Sequence, residues 1–293
     1  MRFEKDESKI RKDIETGITR CMNAAFLNCT PNTPQEPDYV SELVNGLPED
    51  LYKTLSVYAP GYRFAVSGVF CHQKPMALLE TGGKVELGDL LIVYIEENIE
   101  AVLKSNALLL QAKRTNKVPY VVHYDERNQL RLYEEWPKFE LSRAGDYNGI
   151  VIDVQPKTLN SGAQYLLLQS PFKEEKKVCC AYPDRILYPE KKLSEQIIDL
   201  MKFFTGRTFQ IPCSSKEDEW SSLILKLLSI SGASRYNRRA SGRINADRQL
   251  TLGDESLFKQ LRRWFNTNNY DDLDGAVSCL LIYAHEEQEV NSR

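Results

Sequence analysis

Apolar residues recur at helical spacing near the N-terminus, where Ile10, Ile14, Ile18, Cys21, Met22 and Ala25 predict a helix over 5–28. The proline-rich stretch 30–37 predicts a loop. A second helix starts near Asp38 with Val40, Leu43 and Val44 on its apolar side, and Gly46 or Pro48 is expected to interrupt it before a further turn over 50–57. The period then changes. Residues 63–71 alternate and are rich in β-formers (Phe64, Val66, Val69, Phe70), and 76–80 reads as a short strand. Two nearly continuous apolar runs follow, 90–95 and 107–112, as expected of central strands covered on both faces. Segments 118–124 and 130–133 flank a polar turn at 125–128 and predict a hairpin, while 149–154, 164–169 and 178–181 predict further strands. Helical spacing returns at 193–204, 218–230 and 256–265, and 276–284 fits either a helix or a strand.

This order of elements predicts an α/β (α+β) protein, with a mixed central sheet flanked by helices and a mainly helical C-terminal region. Three segments are expected: an N-terminal helix and linker at 1–37, a core with added strands at 38–185, and the C-terminal region at 186–293, the change falling near 185–192. The 293 residues suffice for one large domain or two ordinary ones. A net charge of -3 does not point to nucleic acid, although local patches rather than totals decide such binding. No apolar stretch approaches a membrane span, and the charged N-terminus lacks a signal-peptide core, so a cytoplasmic protein with no membrane partner is expected. Seven cysteines without a Cys-x-x-Cys pair, and three widely separated histidines, argue against a zinc site and for reduced, buried thiols.

The ends of the two apolar runs change the picture. Asp89 opens the first, and Gln111 and Lys113 close the second. Their i, i+2 spacing puts Gln111 and Lys113 on one face of a strand. A carboxylate, a carboxamide oxygen and an ammonium then converge at one sheet edge, which is the chemistry of a magnesium-dependent phosphodiester hydrolase. Magnesium takes oxygen ligands, and Asp89, Gln111 and the backbone carbonyl of Ala112 are the candidate ligands of Mg2+ (or Mn2+). Lys113 would place positive charge near the attacking water or the scissile phosphate. In the plainer reading Asp89 begins a strand after a turn at Gly88, and Gln-x-Lys ends another.

The pattern Gly88-Asp89, an apolar strand, a variable connection and then apolar-Gln111-x-Lys113-Arg114 resembles the restriction-endonuclease-like PD-(D/E)XK superfamily. The nearest likeness is to its Mrr-type variant, in which glutamine replaces the second acidic residue. The resemblance covers roughly residues 38–125. It implies a core of one helix, a three-stranded meander, a second helix and a further strand. It also implies a metal-dependent nuclease acting on DNA, with RNA open as a substrate, in bacterial restriction or antiphage defence. Asp89 matches the metal-binding aspartate, Gln111 the second acidic position, Lys113 the catalytic lysine, and Arg114 a neighbouring basic residue. Many members add a glutamate from the preceding helix. Glu42 and Glu49 are candidates, Glu36 is less favoured, and Glu80 and Glu86 are strand-side alternatives; Glu42 and Glu86 are carried forward. A homodimer, a regulatory protein partner and a small messenger are further expectations. The alternative function is a catalytically inactive nuclease-fold module that binds nucleic acid or a protein partner.

The segment 234–248 carries five arginines and one acidic residue. Arg235, Arg238, Arg239 and Arg243 are read as a phosphate-contacting arm, against the plainer reading of a solvated loop. His72, His123 and His285 read as structural or exposed, and Cys179-Cys180 as a buried thiol pair.

Overall fold

The computed structural model describes residues 3, 7–29, 32–71, 74–101, 103–157, 162–170, 178–212, 218–231, 249–264 and 276–287. Two helices open the chain, α1 (Glu7–Cys29) and α2 (Glu36–Tyr58), and pack on each other through Ile10, Ile14, Ile18, Leu43, Leu47 and their neighbours. The strands β1 (Tyr62–Val69), β2 (Met76–Leu79), β3 (Lys84–Glu86), β4 (Leu90–Glu97), β5 (Leu103–Thr115) and β6 (Tyr120–Val121) follow. A 3-10 turn at Tyr124–Glu126 leads into α3 (Arg127–Glu135). Next come β7 (Phe139–Ser142), β8 (Val151–Ile152), β9 (Ala163–Gln169), β10 (Val178–Ala181), β11 (Ile186–Leu187) and β12 (Lys191–Lys192). The chain continues through α4 (Leu193–Met201), β13 (Arg207–Thr208), α5 (Glu219–Ser231), β14 (Gln249–Gly253), α6 (Glu255–Trp264) and β15 (Ser278–Glu286).

The result is a mixed α+β molecule. Its main sheet has the order β12–β10–β9–β5–β4–β15–β1–β14, with β13 added beside β5. β4 and β5 are antiparallel, β9 runs parallel to β5, and β15 lies parallel to β4 and antiparallel to β1. Helices cover both faces. Leu90, Ile92, Leu108 and Leu110 pack in one core with α1, α2 and α4, whereas Leu91, Val93, Leu109 and Tyr165 pack in the other with α3 and α5. Burial on both faces explains why the two apolar runs lack alternation.

Three expectations need correcting. Pro48 does not interrupt α2. A proline deprives the carbonyl four residues earlier of its helical donor, here Val44. That carbonyl is packed against Gly68 of β1, where an added Cβ would come within 1.7 Å of it. The hairpin expected around 125–128 is absent, because 130–133 belongs to α3, which buries Gln129, Leu130, Leu132 and Tyr133. Finally, the described residues of 186–293 do not stand apart as a helical region. β15 supplies a central strand between β4 and β1, paired along its length with both.

Candidate functional site

β5 outruns β4. The ladder between them ends at Leu90 opposite Leu110, and the Asp89 N–H donates to the Leu110 carbonyl at 2.8 Å. From Gln111 to Thr115, β5 stays paired with β9 on its other side. This leaves a stretch of strand edge that side chains complete. Asp89 Oδ2 accepts from the Ala112 N–H at 2.7 Å and from the side-chain amide of Gln111. One step along the same edge, Glu36 Oε1 accepts from the Arg114 N–H at 2.9 Å. The N–H and C=O of one extended residue point to the same side of a strand, so the Ala112 carbonyl faces the edge between these two carboxylates.

Asp89 is 2% exposed, a buried acid that needs compensation. Its second oxygen, Oδ1, contacts the ammonium of Lys74, itself only 8% exposed, and Lys74 Nζ lies 3.6 Å from Glu86. Burial pulls the Lys74 pKa below the ordinary lysine value, against the charge and hydrogen bond of Glu86. Gly88 permits this packing. A Cβ there would lie 2.7 Å from Leu109 Cδ1 and 3.0 Å from the Tyr133 hydroxyl, which donates to the Leu87 carbonyl at 2.9 Å.

Lys113 is on the same face as Gln111 and makes an ion pair with Glu126 at 2.6 Å. Glu126 also accepts from the Tyr120 hydroxyl at 2.8 Å and from the His123 N–H at 2.8 Å. Burial would raise the Glu126 pKa, but these donors, Lys113 foremost, hold it below the usual glutamate value. The Tyr120 hydroxyl is pushed well up by burial and by Glu126. Beside this group lies a cavity of about 740 Å3, with Arg114, Lys117, Tyr120, His123 and Phe26 among its lining.

The structure therefore brings Asp89, Gln111 and Lys113 to one strand end, and Lys74 links Glu86 to them. Glu42 is placed elsewhere: its carboxylate accepts from Asn28 of α1 at 2.9 Å. The α2 glutamate that reaches β5 is Glu36. Its signal was present in the sequence, since Glu36-Pro37-Asp38 is an acidic helix start with proline in the first turn. Glu49 pairs with Lys53 and Glu80 with Lys138, both at the surface. Lys74, Tyr120 and Glu126, by contrast, were not among the residues the sequence pointed to. Only Glu126 carried a local cue, as an acid in a short turn before a helix. Arg114 uses its guanidinium on the Pro34 carbonyl at 3.2 Å and also lines the cavity. Arg235, Arg238, Arg239 and Arg243 lie outside the described residues.

One atom tests whether a divalent ion suits these residues. The Gln111 Oε1 is buried and accepts no hydrogen bond among the described residues. A buried carboxamide oxygen without a donor is costly, and a hard cation is one partner that would satisfy it. Among the described residues no three His, Cys, Asp or Glu side chains are grouped to hold a metal ion. A divalent ion here would therefore draw on Gln111 and the Ala112 carbonyl as well as Asp89. No helix among the described residues is long and apolar enough to cross a membrane. No protein-family model, curated protein or solved structure matches the chain.

Proposed function

We propose that this protein is a divalent-metal-dependent nuclease that hydrolyses DNA phosphodiester bonds, built on a restriction-endonuclease-like core. The observation that carries the reading is the contact of Asp89 with Gln111, whose own oxygen lacks a donor, with Lys113 two residues further along the same face of β5. The order of elements supports it. α2 precedes β1, β4 and β5, and α3 lies on the crossover from β5 to the parallel strand β9. β15, inserted between β1 and β4, departs from a plain three-stranded meander.

In this reading Asp89, Gln111 Oε1 and the Ala112 carbonyl hold Mg2+ or Mn2+, with Glu36 on the adjoining stretch of edge. The ion would supply Lewis acidity toward phosphate and water. Lys113, restrained by Glu126, keeps a positive charge on the same face, where it offsets the charge that builds on the phosphate. Tyr120 and His123 fix Glu126 and thereby the lysine. Arg114 and Lys117, at the rim of the neighbouring cavity, give the backbone of a nucleic acid two cationic contacts.

The test is cleavage of supercoiled and linear DNA with Mg2+ or Mn2+, alongside an RNA of matched length. Cleavage of DNA that is lost in Asp89→Ala and Lys113→Ala is the expected result. Cleavage of RNA alone would reassign the substrate, and no cleavage of either would remove the enzyme reading. A second reading, an inactive nuclease-fold module, draws on the fact that Lys74 sits on Asp89 and Glu126 sits on Lys113. It predicts retention of nucleic acid without cleavage, unchanged by Asp89→Ala.

A further inference from the structure

We infer that Lys74 is the resident cation of this site: its ammonium stands where a divalent ion binds, and leaves when that ion arrives. The inference rests on the metal-dependent reading above and adds a residue that no motif supplies. Asp89 Oδ2 already accepts two hydrogen bonds, from Ala112 and Gln111. The remaining oxygen, Oδ1, is the one facing Lys74. An ion bound to Asp89 through Oδ1 thus takes the place of the ammonium. Sharing that oxygen would bring a dication and a lysine to within a few Å of each other, which the interior does not tolerate.

The surroundings of Lys74 fit a cation's place rather than a surface ion pair. It is nearly buried, with Glu86 at 3.6 Å, and the charges of Glu36 and Lys113 both reach it. Two carboxylates, Asp89 and Glu86, lie within ion-pair range of it, and Gln111, which donates to the same Asp89 carboxylate, keeps a bare oxygen. Without an ion, removing Lys74 would leave Asp89 as a buried and poorly compensated carboxylate. Lys74 therefore keeps the site folded before it is loaded, and metal affinity is weakened by the work of moving it. It follows Val69 of β1 and precedes Met76 of β2, outside any strand, so it can swing away without breaking a sheet ladder.

The experiment is calorimetric titration of MnCl2, without nucleic acid, into the full chain and into Lys74→Met and Lys74→Gln. Both variants should bind Mn2+ at least roughly tenfold more tightly than the parent, because the ion no longer has to break the buried Lys74–Asp89 pair before it binds. Their melting temperatures should fall without metal and rise further with it. Equal or weaker Mn2+ binding by the variants overturns the inference while leaving the metal site standing, provided Asp89→Ala abolishes binding. Absence of Mn2+ binding by parent and variants alike overturns both. Should the variants fail to fold, the parent itself decides. Acetylation of Lys74 by an amine-reactive ester, read by peptide mass spectrometry, should rise severalfold at saturating Mn2+ relative to the other lysines. Unchanged labelling of Lys74 overturns the displacement.

Discussion

The two ends of β4 both carry buried acids, yet they are built differently. At the C-terminal end Glu97 accepts from the Tyr283 hydroxyl and lies 3.1 Å from His285 Nδ1, and Glu96 accepts from the Tyr94 hydroxyl at 2.7 Å. These carboxylates have partners of an ordinary kind, aromatic hydroxyls and an imidazole, and Glu97 ties β4 to β15. At the N-terminal end Asp89 faces a buried ammonium, completes the edge of β5 through backbone and amide donors, and leaves the Gln111 oxygen bare. A buried acid is therefore not by itself a site. What separates the two ends is an unmatched acceptor together with opposite charges gathered at an unfinished strand edge.

Substitution at each end should separate chemistry from stability. Asp89→Ala or Lys113→Ala should lower the rate of DNA cleavage by about 10^2 to 10^3, the scale of losing a group that stabilises developing charge. Glu97→Gln should leave the rate within about twofold and lower stability by about 1–3 kcal/mol, as a buried acceptor set is disturbed. Chemical denaturation and a plasmid assay on the same samples check both, and a rate collapse in Glu97→Gln would erase the contrast.

The next effect concerns which α2 glutamate matters. Glu36→Gln should weaken Mn2+ binding by about 10-fold to 100-fold, the range for groups that position a metal site from nearby. Glu42→Gln, on the α1 side, should leave the titration unchanged. Matching losses in both variants would mean that Glu36 acts only through helix stability.

Gly88 sharpens the comparison at smaller scale. Gly88→Ala pushes a methyl into Leu109 and should cost about 1–3 kcal/mol, the usual range for overpacking, and should lower cleavage through a displaced Asp89. Thermal melts beside rate measurements on this variant check the linkage.

The smallest effect is in acid. The folded-state pKa of Glu126 is lowered, so its contribution to stability is present above the unfolded value of about 4.3 and is lost as pH falls through the lower folded value. Glu126→Gln should lower stability at neutral pH by that contribution and flatten the profile in that window, so that parent and variant converge in acid, read by denaturation at pH 7 and between pH 5 and pH 2.

The sequence made the local chemistry legible and the long-range placement much less so. Asp89, Gln111 and Lys113 could be grouped because strand alternation and two apolar runs fix their faces. Glu36 ranked below Glu42 and Glu49 because it falls in the proline-rich stretch read as a loop, where the helix in fact starts. Lys74 lies in no periodic element, so nothing in the chain's pattern connects it with Asp89. The place of β15 was equally hidden, since its partners β4 and β1 are far away in sequence and a buried strand resembles a buried helix over so short a run. The α3 segment misread as a hairpin shows the same ambiguity: Leu130 and Tyr133 suit either period until Gln129 and Leu132 are seen buried beside them.

The proposed nuclease site requires Asp89 and Gln111 to share one divalent ion. Crystals soaked in MnCl2 and measured at a wavelength that reveals manganese by anomalous scattering test it most directly. A peak is expected about 2.0–2.2 Å from both Asp89 Oδ1 and Gln111 Oε1, with Lys74 Nζ withdrawn from Asp89. A saturating soak that leaves Lys74 on Asp89, with manganese bound elsewhere or nowhere, would contradict it.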